Sequence, residues 1–279
     1  MTAGGLGAGQ PWAPPGPAIL FCPADRPERY AKAADRADAV ILDLEDAVAA
    51  ADRPAARRAL VDRPLDPART IVRVNAAGTA DFADDLQALA RTDYRAIMLA
   101  KTEQPVQLDL VDHDVVALIE TPLGAVNAAA IAAHPRCVGL MWGAEDLVAA
   151  MGGRSSRFPD GTYRDVARHV RSATRLAAAA FGRFALDAVH IDIADVDGLR
   201  AEALDAVALG YAATVCIHPS QVPMIRAAYR PTDDELAWAR EVLGAQAGAH
   251  GVFAVRGQMI DAPLLAQARA IVSRAPAEN

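Results

Sequence analysis

The 279-residue sequence predicts an α/β chain whose strands close into a (β/α)₈ barrel, followed by a C-terminal helical lid extension. Three observations predict it. Eight short apolar runs of buried-strand type recur along the chain, segments of helical character separate them, and polar residues follow the runs repeatedly. Such barrels carry their sites on the face where the strands end, so a series of polar strand tips reads as a site. A doubly wound open sheet is the alternative with the same alternation.

Residues 1–17 are rich in Gly, Pro and Ala, with no basic stretch before an apolar core, and read as a flexible leader instead of a signal peptide. Residues 18–230 form the expected barrel. Ala18 to Cys22 is the first strand, and a polar helix from Arg26 to Ala37 has Pro27 near its start. Ala39 to Leu44 is the second strand, with a helix from about Asp52 to Val61. Thr70 to Val74 is the third, with a helix from Asp81, an N-cap type residue, to Ala90. Ala96 to Ala100 is the fourth. Val115 to Ile119 is the fifth, and an Ala-rich helix from Pro122 to Ala133 tolerates proline in its first turn. Val138 to Trp142 is the sixth. Ala185 to Ile191 is the seventh, and its helix, Val196 to Leu209, stops at Gly210. Ala213 to Ile217 is the eighth. Residues 231–279 exceed the eightfold pattern and read as two helical stretches around the loop GVFAVRGQMIDAP, an appendage or lid.

Composition limits the function classes. With 53% hydrophobic residues the chain has material for a full core. Twenty-eight basic against thirty-five acidic residues give a net charge of −7, spread along the chain, which disfavours nucleic-acid or anionic-membrane binding. No apolar run reaches about 18 residues, so no membrane span is expected. Cys22, Cys137 and Cys216 lie far apart in apolar runs without metal or redox spacing. Buried thiols in a reducing cytoplasm are the expectation.

The polar residues just after the strands are Asp43 and Asp46, Arg73 and Asn75, Lys101, Glu120, Asp146, Asp192 and His218. Glu120 ends the run VALIET, and Glu145-Asp146 ends VGLMWGAEDLV. A carboxylate at the tip of an apolar strand is expensive unless it binds something. Acids also favour the first turn of a helix, so either one alone could be a helix-start residue. On neighbouring strands Glu120 and Asp146 face the same space. Two carboxylates without Cys or His nearby suit a hard ion that keeps several waters, Mg²⁺ before Zn²⁺. Arg73, inside a β-branched run, needs a partner. Its planar fork suits a carboxylate or phosphate held in two places, or an ion pair with Asp43, Glu45 or Asp46. Glu45 and Asp46 are further catalytic candidates, able to orient metal waters, to pair with Arg73 or Lys101, or to cap the next helix.

In order, the segments RPERYAKAADRADAVILDLEDAVA, IVRVN, a lysine after the fourth strand, LIET, GAEDL, CIHPSQ and GQMIDAP resemble the citrate lyase β-subunit-like members of the HpcH/HpaI aldolase/citrate lyase family, from about Leu20 to Ala266. The resemblance implies a TIM barrel, Mg²⁺, and cleavage or formation of a carbon–carbon bond in β-hydroxyacyl-CoA thioesters. It implies Glu120 and Asp146 as metal ligands and Arg73 as the binder of the oxo acid's carboxylate, with Lys101 a further substrate-binding candidate. Arg26 and Lys32 match positions that approach the CoA phosphates. Asp261 resembles the residue acting on the thioester α-carbon, often from a neighbouring subunit's tail; read from its sequence, it is an N-cap before Pro263. A homotrimer or other homo-oligomer is implied. Relatives often have Pro-Gly and Pro-Lys where this chain has Pro23-Ala24 and Ala100-Lys101.

Other features have plainer readings. Arg164, Arg168, Arg171 and Arg175 fall on one helical face, as a solvated stripe does. His218 reads as a loop anchor or a proton shuttle, and the loop Gly152 to Gly161 is long enough to gate a pocket. Three functions fit: a self-sufficient lyase or synthase, an aldolase for free 2-oxo acids, and a non-autonomous citrate lyase subunit needing an acyl-carrier partner.

Overall fold

The computed structural model describes residues 10–246 and 252–275. It divides into two units, Met1–Ile225 and Arg226–Asn279. In the first, β1 (Ala18–Pro23), β2 (Ala39–Asp43), β3 (Thr70–Val74), β4 (Ala96–Leu99), β5 (Asp114–Ile119), β6 (Cys137–Trp142), β7 (Phe184–Asp187) and β8 (Ala213–Cys216) form a closed barrel in sequential order. All eight neighbouring pairs are parallel, and β1 pairs with β8. That closing ladder excludes the open doubly wound sheet. The helices are α1 (Tyr30–Arg36), α2 (Arg53–Asp62), α3 (Ala80–Leu89), α4 (Pro122–Ala132), α5 (Ala144–Ala150), α6 (Asp165–Ala180) and α7 (Val196–Leu209), and the division between the units falls within α8 (Val222–Tyr229). Both α5 and α6 lie between β6 and β7, which accounts for the long interval there. No helix among the described residues is long and apolar enough to cross a membrane.

The barrel interior is apolar: Ile19, Ile41, Ile71, Met98, Val116, Leu118, Leu186 and Val215 belong to one buried cluster. Each such side chain contributes about 1.5–3 kcal/mol when fully buried. Trp12 joins that cluster, which corrects the expectation of a loose leader for residues 10–17. Its backbone N–H donates to Asp114 at 2.7 Å, its indole N–H donates to the carbonyl of Ala68 at 3.1 Å, and its ring lies 5.8 Å from that of Phe184. These partners start or precede strands, so the indole plugs the N-terminal end of the barrel.

Among the boundaries that differ from the sequence expectation, two have clear local reasons. The seventh strand ends at Asp187 and not Ile191, because the following residues turn outward: His190 bonds Glu202 and Asp195, and its carbonyl accepts from Gln221. The N-cap of α3 is Thr79, whose hydroxyl accepts from the Phe82 N–H, while Asp81 is drawn to Arg53 and Arg57.

The second unit contains α9 (Asp233–Gln246), β9 (Phe253–Val255), β10 (Gln258–Ile260) and α10 (Ala262–Ser273), with its own core that includes Val242, Val255, Ile260 and Ile271. The stretch read as a loop is therefore an antiparallel hairpin. Its two-residue turn puts Arg256 and Gly257 at φ 50° and 79°, the left-handed pair that matches strand twist. Arginine in the first of these positions hides the Asn-Gly signal by which such turns are usually read.

Candidate active site at the C-terminal end of the barrel

Side chains on a strand alternate between its two sides. The alternation that turns Ile19, Ile41, Ile71 and Leu118 into the barrel brings Phe21, Asp43, Arg73 and Glu120, two residues further on, to the same side one layer higher. A polar layer thus caps the apolar core where the strands end, the position at which such barrels build their sites.

Arg73 and Asp43 stand side by side in the β2–β3 register. The Arg73 Nε and Nη2 donate to the two Asp43 oxygens at 2.7 and 2.6 Å, and the guanidinium lies over the Phe21 ring at 4.8 Å. Asp43 also accepts from the backbone N–H groups of Glu45 and Ala47. The fork thus makes the ion pair with Asp43 that its sequence allowed beside a substrate carboxylate, leaving Nη1, 3.4 Å from Glu45. Burial opposes the charge on Arg73, but the bonds to Asp43 outweigh it and hold the guanidinium firmly protonated.

Glu120 is 2% exposed. Burial, aided by the nearby Asp146, pushes its carboxyl up to about 8 against the pull of the Lys101 amide and of Arg73. One oxygen accepts the backbone N–H of Lys101 at 2.9 Å. A Cβ on Gly143 would lie 3.0 Å from the other, so glycine permits that close approach. Gly143 then leads into α5, whose first turn carries Glu145 and Asp146. Lys101 is one of two described non-glycine residues with positive φ, at 50°. Its ammonium bonds Glu45 and lies 3.4 Å from Asp46 and 3.6 Å from Asp146.

Arg73, Glu120, Glu145 and Asp146 line a cavity of about 450 Å³ whose other walls are Phe21, Leu118, Met141, Trp142, Gly143, Ala144, Ala188 and Val189. The linked set comprises five carboxylates (Asp43, Glu45, Asp46, Glu120 and Asp146) against two cations, Arg73 and Lys101. That surplus, with a buried carboxyl facing a second one across a cavity, fits a hard divalent ion. Among the described residues no group of three or more His, Cys, Asp or Glu side chains is arranged to hold a metal, so the fit is to an ion that keeps waters.

Lys101, Glu45 and Asp46 do not line the cavity; they bond one another behind it. Arg26 is exposed beside Asp25, and Lys32 is exposed on α1. Asp261 is the N-cap of α10, its carboxylate accepting from the Leu264 N–H at 3.3 Å, within the second unit. Asn75 bonds Asp85 and so ties β3 to α3, Asp192 is exposed, and His218 caps the turn at Pro219–Gln221. Sequence reasoning missed the apolar wall residues and Ser156, which is buried and donates to Glu145 at 2.6 Å. No motif marks them.

In the arginine row Arg164 and Arg168 are exposed as a solvated stripe would be, and Arg171 departs from it. Arg171 donates to both Asp187 oxygens at 2.9 and 2.8 Å and also bonds Asp205. Trp142 donates to the same Asp187. Beside this network, Arg168, Arg171, His190, Asp195, Glu202 and Asp205 help to line a groove of about 840 Å³. Arg157, from the long loop, bonds Glu202 and stacks over Tyr163 at 3.7 Å.

Comparison with known proteins agrees with this geometry. The chain is 62% identical over 261 residues, 93% of its length and 96% of the relative's, to the citrate lyase subunit beta-like protein of Mycobacterium tuberculosis. It is similar to the structure of protein CitE from that organism in complex with magnesium, acetoacetate and coenzyme A, with a TM-score of 0.88, 62% identity, and coverage of 93% of this chain and 97% of that one. It is also similar to that organism's citrate lyase beta subunit complexed with oxaloacetate and magnesium, with a TM-score of 0.77, 66% identity, and coverage of 77% and 97%. The HpcH/HpaI aldolase/citrate lyase model matches residues 18–114 and 111–219. With the barrel, its acid-tipped strands and these likenesses in agreement, the chain belongs to the HpcH/HpaI aldolase/citrate lyase family.

Proposed function

We propose that the chain is a Mg²⁺-dependent carbon–carbon lyase that cleaves or forms a β-hydroxyacyl-CoA thioester, with a small 2-oxo acid and an acyl-CoA on the other side of the reaction. The observation that carries this reading is the convergence of Glu120, Asp146 and Arg73 on one cavity. The magnesium, coenzyme A and oxaloacetate bound by the related structures support the same assignment. Glu120 and Asp146 would hold the ion, which supplies Lewis-acid polarisation of the oxo-acid oxygens when bound.

The chain's own residues do the rest. Arg73, oriented by Asp43, offers Nη1 to the substrate carboxylate. Phe21, Leu118, Met141, Val189 and the Trp142 indole give the cavity an apolar wall that limits water around the reacting carbons. Glu45 and Asp46 are positioning residues, since they hold Lys101 and, through Glu45, touch Arg73. Asp261 is assigned protonation of the thioester enolate, and Arg26 and Lys32 contact with the CoA phosphates, on family resemblance. A cytoplasmic homo-oligomer, a trimer first, belongs to the same reading; the three buried thiols suit a reducing compartment.

An aldolase for free 2-oxo acids is the second reading, favoured by one observation: the charged groups on the cavity wall are Arg73, Glu120, Glu145 and Asp146, which suit an acid and an ion and include no CoA-binding group. The test is the purified chain alone, with Mg²⁺ or with a chelator, against a panel of β-hydroxyacyl-CoA thioesters and free hydroxy acids. Chelator-sensitive cleavage of at least one thioester is expected. Silence across the thioesters, with rescue by an acyl-carrier subunit or cleavage of free acids only, would overturn the assignment.

A further inference from the structure

Lys101 is held in an unusual way. Its backbone takes a left-handed conformation, φ 50°, which residues other than Gly, Asn and Asp rarely adopt. The conformation does two things at once. It aims the Lys101 N–H at Glu120 Oε1, and it sends the side chain back across the strand ends, where the ammonium meets Glu45, Asp46 and Asp146. A residue expected to meet the substrate thus lies off the cavity wall, on the acids around the metal position.

We propose that Lys101 is a built-in competitor of the divalent cation: its ammonium shares Asp146 in the metal-free protein, withdraws toward Glu45 and Asp46 when the ion binds, and so sets the metal affinity of the site. This rests on the metal reading above. The contacts themselves order the withdrawal. Asp146 lies 3.6 Å from the ammonium, the longest of the three ion pairs; Glu45, 7% exposed, bonds the ammonium, and Asp46, 50% exposed and 3.4 Å away, is tied to Glu45 by its backbone N–H. The buried pair with Glu45 is the one to keep, and the longest contact, to Asp146, is the one to release. Two cations drawing on one carboxylate repel each other, so the ammonium weakens ion binding while it keeps the acids together in the ion's absence. The backbone acts the other way, because its amide holds Glu120 in place.

Glycine at position 101 separates the two effects, since it retains the left-handed backbone and the amide but deletes the ammonium. Calorimetric titration of the full chain with MgCl₂ reads them directly. Lys101→Gly is expected to bind Mg²⁺ on the order of five- to tenfold more tightly than wild type at low ionic strength, with the gain shrinking as salt is added. Lys101→Asn, which also tolerates this conformation, is expected to follow it and serves if the glycine variant does not fold. Lys101→Ala, drawn out of the left-handed region, is expected to bind more weakly than Lys101→Gly. Affinity in the glycine and asparagine variants equal to or below wild type would overturn the proposal. Tighter binding in a protein that cleaves no thioester would sink the lyase reading and leave this one standing. Unchanged binding in an active enzyme would do the reverse, and no Mg²⁺ binding in any form would sink both.

Discussion

At its N-terminal end the barrel is closed by the Trp12 indole, which belongs to the buried cluster and lies 5.8 Å from the Phe184 ring. At its C-terminal end five carboxylates and two cations crowd above the same core, and three of them, Arg73, Glu120 and Asp146, line a cavity of about 450 Å³. One apolar cylinder supports both ends, and they are built for opposite purposes. Burial at the plug stabilises the fold and asks for no ligand. Burial of Glu120 beside Asp146 costs stability until something positive arrives. The difference teaches where to expect function: at the end where the chain keeps charges it could have replaced by leucine.

That contrast can be broken from either side. The largest effect on stability belongs to the plug. Trp12→Ala should destabilise the protein by about 3–5 kcal/mol, measured by denaturant unfolding, while the rate of thioester cleavage per folded molecule stays close to wild type. A folded variant with a lost rate would mean that the two ends are coupled. A smaller effect sharpens the comparison with a titratable group on the barrel's flank. His190 is buried, with Glu202, Asp195 and Arg157 around it. The bond to Glu202 raises its pKa despite burial. A raised folded pKa means that the stabilisation is complete below the unfolded value of about 6.5 and is lost as pH rises through the folded value. The wild-type melting temperature should therefore fall across that window, and His190→Gln should flatten the fall. Equal slopes would remove His190 from the account.

Much of this was legible in the sequence because alternation is a physical signal. In VALIET, Val116 and Leu118 point into the core, so Glu120, of the same parity, points in as well; the same reasoning carries Ile71 to Arg73 and Ile41 to Asp43. Family resemblance then supplied the thioester, which no residue on the cavity wall announces. What could not be read depends on conformation or on distant partners. Nothing in Ala100-Lys101 signals a left-handed lysine, because the residue that usually marks such a backbone is glycine. Trp12 is one aromatic in a stretch rich in Gly, Pro and Ala, and only the closed barrel provides the hole it fills. The sequence offers the Arg73 fork either a substrate carboxylate or an ion pair with Asp43, Glu45 or Asp46, and does not choose between them, because Asp43 lies thirty residues away. The hairpin of the second unit was hidden by arginine at a turn position that usually carries asparagine.

The central claim is that Glu120 and Asp146 serve an ion for catalysis and not the fold. Asp146→Asn tests it most directly when thioester cleavage and melting temperature are measured on one preparation. Cleavage with Mg²⁺ should fall by about three orders of magnitude, since several kcal/mol of charge stabilisation go with the ion, while the metal-free melting temperature should hold or rise, because one of two facing carboxylates has been neutralised. Retained cleavage, or a loss of cleavage matched by a loss of folded protein, would contradict the account.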